Sequence, residues 1–459
     1  MQRPEVNIDQ YPNIYFLGIG GIGMSALARY FKRMGKTVGG YDKTPSPLTD
    51  ELVKEGIQVH FEDLGPGIPS PYQNPDNTLV IITPAIPQNL GERLHVIHKG
   101  YQLLKRSEIL GVITRNSKGL TVAGTHGKTT TSTLLAHILK DSGIGCNAFL
   151  GGISTNYNSN FIADAESSYT VIEADEFDRS FLQLDPFASI ITTTDADHLD
   201  IYGDQDQFIQ GFQSFAALIN KNGFLVRHID VDLQHPKSIT YGINRPADYS
   251  GENIQYINGK FLFDIQLPGS KWSNVELGVP GIHNAENALA CVAMCLNLGL
   301  SEEKIRKALA NFRGVKRRFE YHIQTENLVY IDDYAHHPTE INALIDSVRL
   351  IYPNKKIYGV FQPHLFSRTR DFFDGFTQAL SKLDTCILMP IYPAREEPIP
   401  GITSEALVEE IDADEVHIME PQTVLSYFQK THPEGVVLTI GAGDIDRIIE
   451  PLKNILQQS

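Results

Sequence analysis

Residues 120 to 133 read Leu-Thr-Val-Ala-Gly-Thr-His-Gly-Lys-Thr-Thr-Thr-Ser-Thr: a β-branched strand, a glycine turn, a lysine and a run of hydroxyls that opens a helix. No other stretch narrows the possible folds as much. Gly124 and Gly127 remove the Cβ atoms that would keep backbone N–H groups away from an anion. Lys128 is placed to reach terminal phosphates and Thr129 to ligate Mg²⁺, with Thr125, His126 and Thr130 filling out the cradle. The pattern is the short G-x-x-G-K-T form, because position 122 is Val where the longer phosphate-loop pattern has glycine. Its context is what the mechanism requires. Val122 lies on the strand, and Leu134, Leu135, Ile138 and Leu139 give the next helix an apolar face before Gly143 stops it. An ATP or GTP user built on a parallel α/β sheet is expected.

The chain has 459 residues, 42% of them hydrophobic and 20% charged, enough for two to four ordinary cores. No run approaches 18 uninterrupted apolar residues, so no membrane span is expected. The polar, proline-containing stretch Met1 to Asn13 resembles neither a signal nor a transit peptide, which makes the cytoplasm the expected compartment. A net charge of −16 argues against nucleic-acid binding. Cys146, Cys291, Cys295 and Cys386 are too scattered for a disulfide framework or a zinc site and read as buried thiols.

Strand-like and helix-like segments alternate throughout, giving an α/β fold in three domains. The expected divisions are 1–116, Rossmann-like; 117–314, P-loop ATPase-like; and 315–459, Rossmann-like again. From Val226 to Glu276 the pattern changes to short strands with Asn-Gly and Pro-Gly turns, which predicts a small antiparallel subsheet in the central domain.

In the first block, strand Ile14 to Leu17 leads into Gly18-Ile19-Gly20-Gly21-Ile22-Gly23 and a helix, and a second strand ends at Asp42. This is a dinucleotide fingerprint: a diphosphate on a helix N-terminus and an acid for a ribose hydroxyl. It describes NAD, FAD or a nucleotide sugar equally well, so an NAD-dependent oxidoreductase is a competing reading.

Further strands end in polar side chains, which is where ligands collect in parallel sheets. Glu173 follows the apolar run Tyr169 to Ile172 and is the natural Mg²⁺ ligand opposite Thr129; Asp175 and Glu176 beside it are either supporting or solvated. His198 lies among acids after Ala188 to Thr192, as a water-orienting group, a second metal ligand or a surface histidine. His283, Asn284 and Asn287 introduce an apolar helix. Asn side chains suit an adenine edge, and helix capping competes for Asn284. In the third block, Arg318 precedes Asp333, Tyr334 and His336 at one strand end, and His364 and Arg368 follow another; guanidinium groups there would clamp a phosphate or a carboxylate.

Taken together, Gly-Thr-His-Gly-Lys-Thr-Thr-Thr, Glu-Ala-Asp-Glu, Asp-His-Leu-Asp, Gly-Ile-His-Asn and Asp-Asp-Tyr-Ala-His-His-Pro-Thr-Glu resemble, in order and along nearly the whole chain, the Mur ligases of bacterial cell-wall synthesis. Phe361-Gln-Pro-His364 with Arg368, and the Gly18 to Gly23 loop, look like the members that join L-alanine to UDP-N-acetylmuramate; a relative that adds a tripeptide is the alternative. The resemblance implies an ATP- and Mg²⁺-dependent ligase, monomeric or homodimeric, whose third domain closes over the other two. It implies ATP contacts from Gly124 to Thr130, His283, Asn284, Asn287, Arg318 and Asp333, and metal or phosphate contacts from Thr129, Glu173 and His198. UDP-sugar contacts are implied for Gly18, Gly20, Gly21, Ile22, Gly23, Asp42 and His126, alanine contacts for Tyr334, His336, His364 and Arg368, and catalytic roles for Lys128, His198, Arg318 and His336. Two positions depart from the family pattern: Thr193 stands where many relatives have Asn, and Phe212 where later-acting ligases carry a carbamylated lysine.

Overall fold

The computed structural model describes residues 5–195, 202, 204–394 and 396–458. His198 lies outside the described residues. Three sheets carry the architecture. The first has five parallel strands in the order Gln58–His60, Thr37–Tyr41, Asn13–Leu17, Thr78–Ile82 and Gln102–Lys105. All five residues of Thr78–Ile82 are buried, as a strand covered on both faces requires. Helix Ile22–Arg33 follows the first strand and buries Met24, Leu27, Ala28 and Phe31, which the helical period puts on one stripe.

The central sheet has ten strands and is mixed. Its middle is Pro186–Ile191, Lys118–Ala123 and Tyr169–Glu173, all parallel. On one side, Asn147–Ser154 pairs parallel with Tyr169–Glu173 and forms a hairpin with Ser159–Ile162. On the other side Leu225–His228 pairs parallel after the helix Gln205–Ala216, and Ser238–Ile243 and the start of Tyr249–Ile257 add parallel pairings across short polar connections. The predicted hairpin signals act only beyond this point. Asn258 (φ 53°) and Gly259 (φ 78°) form the left-handed pair of a tight hairpin turn before Lys260–Leu267.

The third sheet orders Glu320–Gln324, Leu328–Asp333, Gly435–Ile440, Ile357–Phe361, Thr385–Leu388 and Glu415–Ile418, with only the first strand antiparallel. Apolar clusters pack on both of its faces.

These sheets fall into two compact units. One holds residues through Glu252 with Asp264–Val275 and Glu286–Arg313; the other holds Asn253–Phe263, Glu276–Ala285 and Gly314–Ser459. Within the first unit a single apolar core runs from Ile14, Phe16 and Phe31 of the first sheet layer to Phe149, Phe161 and Ile172 of the central one. The four cysteines are free and buried, as the sequence suggested.

Candidate active site

The glycine fingerprint forms the predicted turn. Gly20 N–H donates to Asp42 Oδ2 at 2.7 Å and Thr44 N–H to Asp42 Oδ1 at 3.2 Å, so the acid expected to face a ribose also braces the loop. Gly21 is the N-cap of the helix that begins at Ile22, and no side chain caps it. Its opening N–H groups therefore have no side-chain cap. At Gly23 a Cβ would lie 2.5 Å from Arg106 Nη1, so only glycine lets that guanidinium come so near the loop. Arg106 also pairs with Asp175 at 3.2 Å, bringing the first and central layers together beside the fingerprint.

The phosphate loop connects strand Lys118–Ala123 to helix Lys128–Asp141, whose N-cap is Gly127 at φ 78°. A side chain there would be strained, and its Cβ would meet Asn287 Oδ1 at 2.6 Å. Asn287, read as an adenine ligand, therefore packs directly on the loop. His126 is held from both sides: its N–H donates to Thr193 Oγ1 at 3.1 Å, and its carbonyl accepts from Thr192 Oγ1 at 2.5 Å. Thr193 thus supports the loop with its hydroxyl. Thr125 Oγ1 donates to the Asp195 carbonyl at 2.7 Å, and Thr130 is buried in the first helical turn.

Lys128 folds back beneath the loop. Its Nζ donates to the Gly124 carbonyl (2.6 Å), the Thr125 carbonyl (3.2 Å) and Glu176 Oε1 (2.8 Å). Glu176 is buried, and burial pushes its carboxyl up to about 7 against the opposing pull of Lys128. Thr129 Oγ1 donates to Glu173 Oε1 at 3.1 Å, while Gly151 N–H donates to Oε2 at 3.2 Å. A hydroxyl and a carboxylate converging in this way form a hard-oxygen pair of the kind Mg²⁺ takes.

Asn284 Nδ2 donates to the Pro280 carbonyl at 2.7 Å and fastens the turn into helix Ile282–Asn297. The His283 ring lies 6.3 Å from that of Phe319.

In the second unit the predicted residues gather into one row. Arg317 and Phe319, on either side of Arg318, have φ of 62° and 52°, a conformation non-glycine residues hold only when the surroundings impose it. Asp333 imposes it here, accepting the Phe319 N–H at 2.7 Å and the Ala335 N–H at 2.8 Å. Burial pushes the Asp333 carboxyl up to about 6, with the Arg318 charge opposing. Arg318 stacks over the Tyr334 ring (4.9 Å), Tyr334 meets His336 (5.4 Å), His336 meets His364 (6.3 Å), and Arg368 Nη1 is 3.4 Å from His364 Nδ1. Burial holds both histidines down to about 4, Arg368 adding to the effect on each, so both imidazoles are neutral at ordinary pH. The row offers a guanidinium at each end and uncharged ring nitrogens between, donors for a carboxylate or phosphate and acceptors for an N–H group. Among the described residues, the three-residue group with metal-ligand spacing lies elsewhere, at Glu320, His322 and Asp332. Arg317 already answers it, donating Nε to Asp332 (3.1 Å) and its backbone N–H to Glu320 (2.7 Å).

Family models match almost the whole chain: Mur ligase family, catalytic domain over 13–118; Mur ligase middle domain over 122–295; and Mur ligase, glutamate ligase domain over 317–443. The chain belongs to the Mur ligase family. Among similar members, the UDP-N-acetylmuramate–L-alanine ligase of Flavobacterium johnsoniae is 48% identical over 454 residues, covering 99% of this chain and all of that one. The enzyme of the same name from Porphyromonas gingivalis is 49% identical over 450 residues, covering 97% and 99%. The crystal structure of the UDP-N-acetylmuramate–alanine ligase of Thermotoga maritima superposes with a TM-score of 0.81 at 28% identity, over 97% of this chain and 98% of that one. A murein peptide ligase from Psychrobacter arcticus, at TM-score 0.67 and 22% identity over 97% and 99%, shares the fold.

Three residues without an assigned role from the sequence, Glu176, Arg106 and Asn160, brace the phosphate loop and the glycine fingerprint of the first unit. Only Glu176 carried a signal, as the last acid of Glu-Ala-Asp-Glu. Asn160 is fully buried; it accepts from Arg29 Nη1 and donates to the Ile22 carbonyl and to Ser25 Oγ (2.8 Å), gripping the helix behind the glycine fingerprint.

Proposed function

We propose that this chain is an ATP-dependent, ADP-forming ligase that joins L-alanine to the lactyl carboxylate of UDP-N-acetylmuramate in peptidoglycan synthesis. The observation that carries the reading is 45–49% identity, over essentially the full length, to eight ligases of that name. The neutral, arginine-flanked row from Arg318 to Arg368 fits a small amino acid. Among the described residues no helix is long and apolar enough to cross a membrane, which is consistent with cytoplasmic work on a soluble nucleotide sugar.

In the first step the lactyl carboxylate attacks the γ-phosphorus of ATP, and ADP leaves with the electron pair of the broken P–O bond. Two anions must approach, so the barrier is mainly electrostatic. Lys128 supplies positive charge at the loop, and Arg318 is the second cation that the family resemblance implies. Thr129 and Glu173, with His198 as the family pattern implies, would hold Mg²⁺, whose role when bound is to neutralise phosphate oxygens. The Gly18–Gly23 turn and the helix N-terminus at Ile22 take the UDP diphosphate, with Asp42 and His126 beside it. His283, Asn284 and Asn287 serve the adenine, and Asp333 fixes the strained turn that aims Arg318.

In the second step the alanine amine attacks the acyl phosphate carbonyl, the C–O bond to phosphate breaks, and inorganic phosphate leaves. The ammonium must first lose a proton. His336, half-buried and neutral, would take a hydrogen bond or a proton from it, while Arg368 and His364 hold the carboxylate end and Tyr334 lines the row. No covalent enzyme intermediate is required.

The test is ADP release with UDP-N-acetylmuramate and ATP over a panel of amino acids and the murein tripeptide. L-Alanine should give the highest kcat/KM, and no turnover should need NAD(H). Preference for the tripeptide would reassign the chain to the peptide-adding branch.

A further inference from the structure

His364 and Arg368 sit on either side of a residue in a costly conformation. Leu365 has φ 72° and serves as N-cap of the six-residue helix Phe366–Asp371, with no side chain of its own to cap it. A β-carbon-bearing residue holds such a conformation only when its surroundings impose it. The compensation comes from two residues elsewhere in the chain, Tyr392 and Glu396. Glu396 Oε2 accepts the Ser367 N–H at 2.9 Å, Oε1 accepts the Ser367 hydroxyl, and the Phe366 N–H also points to this carboxylate. One acid thus satisfies the opening N–H groups of the helix in place of the missing cap.

Tyr392 holds the strained residue. Leu365 N–H donates to the Tyr392 carbonyl at 2.9 Å, Tyr392 N–H donates to the Pro363 carbonyl at 2.8 Å, and the Tyr392 ring stacks on His364 at 5.6 Å with 23° between planes. Partial burial works against the Glu396 charge, but the Ser367 and Phe366 hydrogen bonds and the Arg368 charge outweigh it and hold the carboxyl below its ordinary range. Glu396 is therefore charged at any working pH. It faces the positive end of a helix, which favours it further.

We infer that Glu396 is a positioning residue for the acceptor amino acid: it caps the short helix of Arg368 from outside and, with Tyr392, sets the His364–Arg368 geometry that receives alanine. This rests on the function proposed above. Glu396 acts through the helix, so its loss should loosen alanine binding and leave the nucleotide contacts alone.

Initial rates of ADP formation by the full-length chain and its Glu396→Ala, Glu396→Gln and Ser367→Ala variants, with each substrate varied in turn, test the inference. Glu396→Ala should raise KM for L-alanine about tenfold or more while KM for ATP stays within about twofold. Glu396→Gln, which keeps an acceptor oxygen, should recover most of that loss. Ser367→Ala, which retains the backbone donor, should raise the alanine KM only a few-fold and keeps the test available if Glu396→Ala does not fold. An unchanged alanine KM in every folded variant, or parallel changes in all three KM values with no rescue by Gln, would overturn the inference. A wild-type chain that releases no ADP with L-alanine would instead refute the proposed function, so the two failures are distinguishable.

Discussion

Lys128 and Glu176 are paired at 2.8 Å beneath the phosphate loop, their side chains 15% and 2% exposed. A charge taken out of water needs a partner, and removing one member of a buried pair typically costs about 3–5 kcal/mol. Glu176→Ala should therefore lower the unfolding free energy by about 3 kcal/mol, seen as a lower urea midpoint. Glu176→Gln, which keeps a hydrogen-bond acceptor, should lose less. A Glu176→Ala chain as stable as wild type would mean that the two loop carbonyls alone suffice for Lys128.

The opposite substitution separates chemistry from stability. Lys128→Ala removes the cation expected to stabilise the transferring phosphoryl group and should lower kcat on the order of 10²-fold. The acid left behind is already pushed up to about 7 and takes a proton instead of remaining a buried anion. Lys128→Ala should then be less destabilised than Glu176→Ala in the same urea titration. Turnover near the wild-type value would remove Lys128 from the reaction.

Local features were legible in the sequence because they are dictated by local backbone needs. The glycine fingerprint, the phosphate loop and the polar residues at the ends of strands 169–173, 328–333 and 357–361 each follow from one short segment, and each lies where the sequence put it. What could not be read were pairings set by tertiary placement. Lys128 meets Glu176 across 48 residues, Arg29 meets Asn160 across 131, and Ser367 is capped from Glu396 across 29. The parallel pairing of Ser238–Ile243 was hidden for a related reason. Its short polar connections look like hairpin turns until the register is known.

Asn160 ties the central hairpin to the helix behind the glycine fingerprint, so its effect should appear at the nucleotide sugar. Asn160→Ala would remove its hydrogen bonds to the Ile22 carbonyl, Ser25 and Arg29, while Ser25 still donates to that carbonyl and Glu51 and Glu55 still hold Arg29, at about 1 kcal/mol for each hydrogen bond lost. KM for UDP-N-acetylmuramate should rise several-fold with little change in KM for alanine. Equal shifts for all substrates would show that Asn160 supports the unit in general and not the diphosphate turn.

His336 and His364 make the acceptor row sensitive to acid. Both are held down to about 4 from an ordinary 6.5, chiefly by burial, with the Arg368 charge reinforcing it. A histidine whose folded value is depressed binds fewer protons than the unfolded chain between those two values. The stability it contributes is thus fully present above about pH 6.5 and is lost progressively as pH falls toward 4. Imidazole NMR should show both rings neutral at pH 6, protonating only near pH 4. The alanine KM should stay flat from pH 8 to 6 as far as these rings control it, then rise below about 5 as a charged imidazole repels the ammonium. His364→Asn should remove part of the acid sensitivity of the urea midpoint. Ring signals titrating near 6.5 would mean that the row is open to water and that neither histidine is held neutral by its surroundings.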